Sequence, residues 1–89
     1  MTILMAAPIT QFKEGDRVVS RRIGRMPPFI GTVQSVHVTA KAVTYYHVLD
    51  DSAPLRESSG KLWHRDPEDL RAATEADEEW VKDGRGARF

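Results

Sequence analysis

Ile30-Gly31-Thr32-Val33-Gln34-Ser35-Val36-His37-Val38, followed after Thr39-Ala40-Lys41-Ala42 by Val43-Thr44-Tyr45-Tyr46-His47-Val48-Leu49, is the stretch that decides the fold. Both runs are rich in β-branched and aromatic residues, which suit a pleated, half-buried surface. The short link between them predicts an antiparallel hairpin. In the first run apolar residues stand at 33, 36 and 38, so the alternation slips by one near Ser35. A β-bulge there accounts for the slip. In the second run, Tyr46 and Val48 pointing inward put Tyr45, His47 and Leu49 on the opposite face.

On the N-terminal side, Phe12-Lys13-Glu14-Gly15-Asp16-Arg17-Val18-Val19 reads as a turn leading into a strand over 16–22, with Gly15 free to take a positive φ. Gly24 and Pro27-Pro28 make 23–29 a loop. On the C-terminal side, residues 50–60 are polar, hold Pro54 and Gly60, and read as a long loop. Lys61-Leu62-Trp63-His64 is a short strand, Asp66-Pro67-Glu68-Asp69-Leu70 a 3₁₀ turn, and Leu70-Arg71-Ala72 a last short strand. Thr74, with Asp77 three residues on, has the pattern of a capping box and opens a helix that Gly84 ends. Glu75, Asp77 and Glu78 fall in its first turn, where the helix dipole favours anions. Three segments follow: an N-terminal arm over 1–11, a β domain over 12–73, and a helix with a fraying tail over 74–89. The expected core is Val18, Val33, Val36, Tyr46, Val48 and Leu70, plugged by Phe12, with Trp80 as an anchor on the helix.

The chain has 89 residues, which limits it to one domain with one core. It has no cysteine, which excludes disulfides and thiolate zinc sites. The 13 basic and 13 acidic residues cancel, but not locally. Residues 1–47 hold 6 basic and 2 acidic residues, and residues 48–89 hold 7 and 11, so the halves carry +4 and −4. Two readings fit: the halves attract one another or a symmetric copy, or a basic face meets an anion. The apolar start Met1–Ile9 is short, lacks a basic flank and is cut by Pro8, and no stretch approaches the length of a membrane span. These features predict a cytoplasmic protein with no membrane partner.

Gly15-Asp16-Arg17-Val18, then Gly31-Thr32-Val33, then Tyr46-His47-Val48 with Asp50-Asp51 after it, then Asp66-Pro67-Glu68-Asp69-Leu70, together resemble the Src-homology-3-like small barrels. The resemblance covers residues 12–73. It implies a mainly β fold, a five-stranded small barrel, here with a short C-terminal helix. That superfold hosts many unrelated functions, so the fold alone assigns none. Phe12 to Val18 is also similar to the start of the type II dihydrofolate reductases, which are tetrameric barrels. Those enzymes build their site on a Val-Gln-Ile-Tyr strand followed by Pro. The equivalent stretch here, Lys61-Leu62-Trp63-His64-Arg65-Asp66-Pro67, lacks the glutamine and the tyrosine, so no active-site residue carries over.

Phe29, Tyr45 and Trp63 are expected on the outer surface near the Pro27-Pro28 loop, beside Arg21, Arg22 and Arg25. Aromatics interleaved with arginine stack on bases or peptides and hold phosphate, and could cage a methylated cation. The alternative is that they cap the barrel ends or line an interface between copies. His37, His47 and His64 fall on different predicted strands without metal-ligand spacing, although neighbouring strands could bring two together. No serine stands in a nucleophile-elbow motif, and no Gly-rich phosphate loop is present. The expected function is a non-catalytic protein- or peptide-binding module using Arg21, Arg22, Arg25, Phe29, Tyr45 and Trp63, without cofactor or metal. A nucleic-acid-binding barrel and an oligomeric enzyme, or a subunit of one, are the alternatives. A homo-oligomer fits the thin core.

Overall fold

The computed structural model describes residues 11–51 and 60–89. The predicted arm up to residue 10 and most of the predicted 50–60 loop lie outside them. Five strands form: β1 (Arg17–Ser20), β2 (Phe29–Val38), β3 (Thr44–Asp50), β4 (Leu62–Arg65) and β5 (Leu70–Ala72). A 3₁₀ turn over Pro67–Asp69 joins β4 to β5, and helix α1 (Glu75–Lys82) follows. All pairings are antiparallel, in one sheet of order β4-β3-β2-β1-β5. The hairpin of β2 and β3 pairs Val38 with Thr44 and Val36 with Tyr46, and its register shifts between Val33 and Ser35, where the sequence pattern slips. Thr39 Oγ1 accepts from the amides of Lys41 and Val43, which folds the connecting turn.

The inner face of the sheet holds Phe12, Val18, Phe29, Val33, Tyr46, Val48 and Leu70, with Val36, Met26 and Trp63 packed against them. Phe12 plugs the core as its sequence suggests. Its ring meets Tyr46 edge-on at 5.6 Å, and the Tyr46 hydroxyl accepts from the amides of Gln11 and Phe12. Two expectations are corrected here. Phe29 is fully buried, because β2 begins one residue earlier than Ile30 and pairs Phe29 with Ser20, turning its ring inward. Trp63 stands opposite Val48, so the pleat places it on the inner face rather than the outer one.

A second cluster lies on the other face of β1 and β2. Val19 and Ile30 are buried there beneath Val81 of α1. Val81, not Trp80, is the fully seated anchor. Trp80 is half-buried at the edge of this cluster, donates from Nε1 to the Gly86 carbonyl at 2.7 Å, and lies under the guanidinium of Arg88 at 3.5 Å. Arg71 also donates to the carbonyls of Arg88 and Phe89, which places the end of the tail beside β5.

The oppositely charged halves of the chain are bound to each other. Arg17 pairs with Glu78 through two bonds of 2.9 Å, and with Asp51. Arg21 pairs with the buried Asp69 at 2.6 Å.

The helix is locked at its start. Thr74 Oγ1 accepts from the Asp77 amide, and Asp77 accepts from the Thr74 amide and from both terminal nitrogens of Arg71. These bonds, Arg71 first, hold the Asp77 carboxyl well below the usual carboxylate range. A carboxyl depressed in the folded state stabilises the fold above its unfolded value, near 3.8, and that contribution fades as pH falls towards the folded value. Urea unfolding measured from pH ~5 down to pH ~2 should therefore show stability falling with acid. Asp77→Asn should cost about 1–2 kcal/mol at neutral pH and flatten the acid slope. An unchanged slope in that variant would assign the acid sensitivity to other carboxylates.

Candidate functional site

The inward turn of Tyr46 and Val48 leaves the odd-numbered residues of β3 outside, as the alternation predicts. Tyr45, His47 and Leu49 stand there, flanked by His37 on β2 and by Leu62 and His64 on β4. None of these six is an Asp, Glu, Lys or Arg, in a chain whose residues are 29% charged. The outer faces of most antiparallel sheets are polar or charged, so this patch departs from the norm.

Strand register brings the rings together. His37 is paired with Tyr45 and His47 with His64, so the four side chains form a connected group. His37 stacks on Tyr45 with centroids 4.8 Å apart and planes 12° apart. His64 meets Tyr45 at 4.6 Å, nearly perpendicular, and His37 and His47 lie 4.4 Å apart. Ser35 Oγ lies 2.7 Å from His37 Nε2, and an Asp66 carboxylate oxygen lies 3.8 Å from His64 Nε2. A shallow groove of about 440 Å³ opens beside the rings, lined by Thr39, Val43, Tyr45, His47, His64 and Asp66. Among the described residues, no three His, Asp or Glu side chains are placed to hold a metal ion.

Helix α1 covers the outer surface only over β1 and β2. A polar belt bounds the covered half: Arg17 bonds Thr32 Oγ1 and Glu78, and Thr32 Oγ1 donates to Asp51 at 2.8 Å. Beyond that belt the tyrosine–histidine patch begins. Val43 and Leu62, at 55% and 56% exposed, extend it as uncovered aliphatic surface.

The site residues expected from sequence do not converge. Tyr45 lies in the patch. Phe29 is core, and Trp63 packs from the inner side with its buried Nε1 unpaired among the described residues. Arg21 is tied to Asp69, and its backbone amide donates to the Asp69 carbonyl as well. Arg22 is exposed and folds back on the Gly24 carbonyl, and Arg25 is exposed without an ion pair among the described residues. Neither arginine contacts Tyr45. What sequence reasoning missed is the meeting of all three histidines. Positions 37, 47 and 64 share no local motif, and only the register of two strand pairs aligns them.

Beneath the patch sits a buried cation, Arg65, 6% exposed. It crosses from β4 to β1 and donates from Nε to Ser20 Oγ at 2.7 Å and from Nη1 to the His64 carbonyl at 2.7 Å. Its guanidinium lies 5.4 Å from the centre of the Phe29 ring and 5.8 Å from that of Trp63. Burial pushes its pKa down, Asp69 and Asp50 draw it back up, and Arg21 adds to the lowering.

Comparison of the chain with protein-family models, with curated proteins and with solved structures finds no match. Among the described residues, no helix is long and apolar enough to cross a membrane.

Proposed function

We propose that the chain is a Src-homology-3-like small barrel that serves as a non-catalytic protein-binding module, docking a peptide segment on the outer face of β2, β3 and β4. The barrel reading is supported by β5 returning beside β1, by the 3₁₀ turn between the last two strands, and by Arg65 bridging β4 to β1 where no backbone ladder joins them. The observation that carries the binding reading is the patch of contacting rings around Tyr45, which lies outside the surface that the helix covers over Val19 and Ile30. Rigid aromatic surface beside a groove favours peptide contact at little cost in side-chain entropy.

The arginines argue for peptide over nucleic acid. Arg17, Arg21 and Arg71 are held in ion pairs within the fold, and Arg65 is buried. Only Arg22 and Arg25 remain of the cations that the sequence suggests for phosphate contact.

Panning a phage-displayed peptide library against the protein tests this. Clones that bind should lose about tenfold or more in affinity to Tyr45→Ala, and about twofold or less to the Arg22→Ala/Arg25→Ala double variant. Their affinity should change little between ~50 and ~300 mM salt. Binding of a single-stranded oligonucleotide that falls steeply with salt and is lost in the double arginine variant would establish the nucleic-acid reading instead.

A further inference from the structure

We infer that the partner segment docked on this face is apolar and uncharged, and that protonation of the neighbouring His37 and His47 releases it. The inference rests on the binding reading above and adds to it the chemistry of the segment and its control.

The patch is free of charge only while its imidazoles are neutral. Imidazole is the side chain whose ordinary charge change falls between pH 5 and 8. Three of the four rings in this contact group are imidazoles, so the same surface can hold no charge or up to three positive charges. Tyr45 and Ser35 are the ring and hydroxyl neighbours of His37. Asp66, just beyond β4, is the one carboxylate at ion-pairing distance from any of the three among the described residues, and it faces His64 alone. Lys41 in the β2–β3 turn and Lys61 before β4 are exposed cations at the rim. Among the described residues, His37 and His47, 4.4 Å apart, therefore have no anion at ion-pairing distance to offset a second proton.

Docking an apolar segment takes these rings out of water. A buried, unpaired imidazolium is costly, so the complex requires the neutral form of His37 and His47. Each proton that must be lost on binding weakens affinity by up to about tenfold per pH unit once the free protein is protonated. With neutral rings a charged segment loses its own hydration without a partner, and with protonated rings a basic one is repelled.

Nile red, an uncharged dye that fluoresces on apolar surfaces, is the probe. It is titrated into the protein at pH ~7.5 and pH ~5.5, with circular dichroism confirming that the fold is intact at both. The expected result is binding at the higher pH that weakens about tenfold or more at the lower. In the His37→Gln/His47→Gln/His64→Gln variant the ratio of the two affinities should fall to about one, whatever the affinity itself. Tyr45→Lys should abolish dye binding at both pH values. Equal wild-type affinity at the two pH values, or a ratio that persists in the triple variant, overturns the proton control and leaves the docking face standing. No dye binding at pH ~7.5, or equal binding by Tyr45→Lys, overturns the docking face as well.

Discussion

Arg65→Ala should lower the stability of the protein by about 3–4 kcal/mol, measured by urea unfolding at neutral pH. The side chain is almost wholly buried, and its stem and guanidinium fill the space between Phe29, Trp63 and Met26. Truncation leaves a cavity at the point where β4 approaches β1, and there the two strands have no backbone bonds to hold them. It also strands the His64 carbonyl, while the Ser20 hydroxyl keeps its bond to the Arg21 carbonyl. Two further substitutions separate packing from hydrogen bonding. Arg65→Met keeps the stem and removes a charge that makes no ion pair among the described residues, so it should cost less than half as much as alanine. Arg65→Lys keeps the charge but loses the planar fork that reaches Ser20 and His64 together, and should be worse than methionine. If methionine proves as damaging as alanine, the bonds to Ser20 and His64 hold the strands together and the stem does not.

That residue also marks the limit of what could be read in advance. In Leu62-Trp63-His64-Arg65 the two parities are Leu62 with His64 and Trp63 with Arg65. Hydrophobicity does not choose between them, because each parity holds one apolar and one polar residue. The register opposite Val48 and Tyr46 decides, and it buries the arginine while leaving Leu62 mostly exposed. Phe29 was hidden for a related reason: Pro27-Pro28 reads as loop, yet the strand resumes at the next residue. Where local chemistry is unambiguous, sequence and structure agree closely. The slip at Ser35, the Thr74–Asp77 cap, the last strand over 70–72 and the outward set of β3 are all found as read. The tyrosine–histidine patch falls between these cases. Tyr45 and His47 are legible as outward residues, but the approach of His37 and His64 depends on pairings across two turns, and no single window contains them.

Gly31→Ala should be as damaging, at about 3 kcal/mol or more, and for a reason that involves no lost contact. Gly31 lies in the middle of the sheet, paired with Val18 on one side and Asp50 on the other. A β-carbon there would sit 2.3 Å from the Leu49 carbonyl oxygen and 3.0 Å from a Val48 methyl. The first neighbour is backbone, so no side-chain rotation relieves it. Relief requires β2 and β3 to part, and the register that seats Val48 in the core and aligns His37 with Tyr45 would shift with them. Gly86→Ala is the control. Nothing lies within 4 Å of the position a β-carbon would take at Gly86, so unfolding should change by about 0.5 kcal/mol or less. Should Gly31→Ala fail to express as a folded protein, Gly31→Ser offers no escape, since it carries the same carbon. Suppression by Val48→Ala would then be informative only for the smaller of the two clashes. A Gly31→Ala protein as stable as the wild type would mean that the strands are further apart at this point than the close approach to Leu49 implies. The ring contacts of His37 with Tyr45 and His47, built on the same register, would then be looser too.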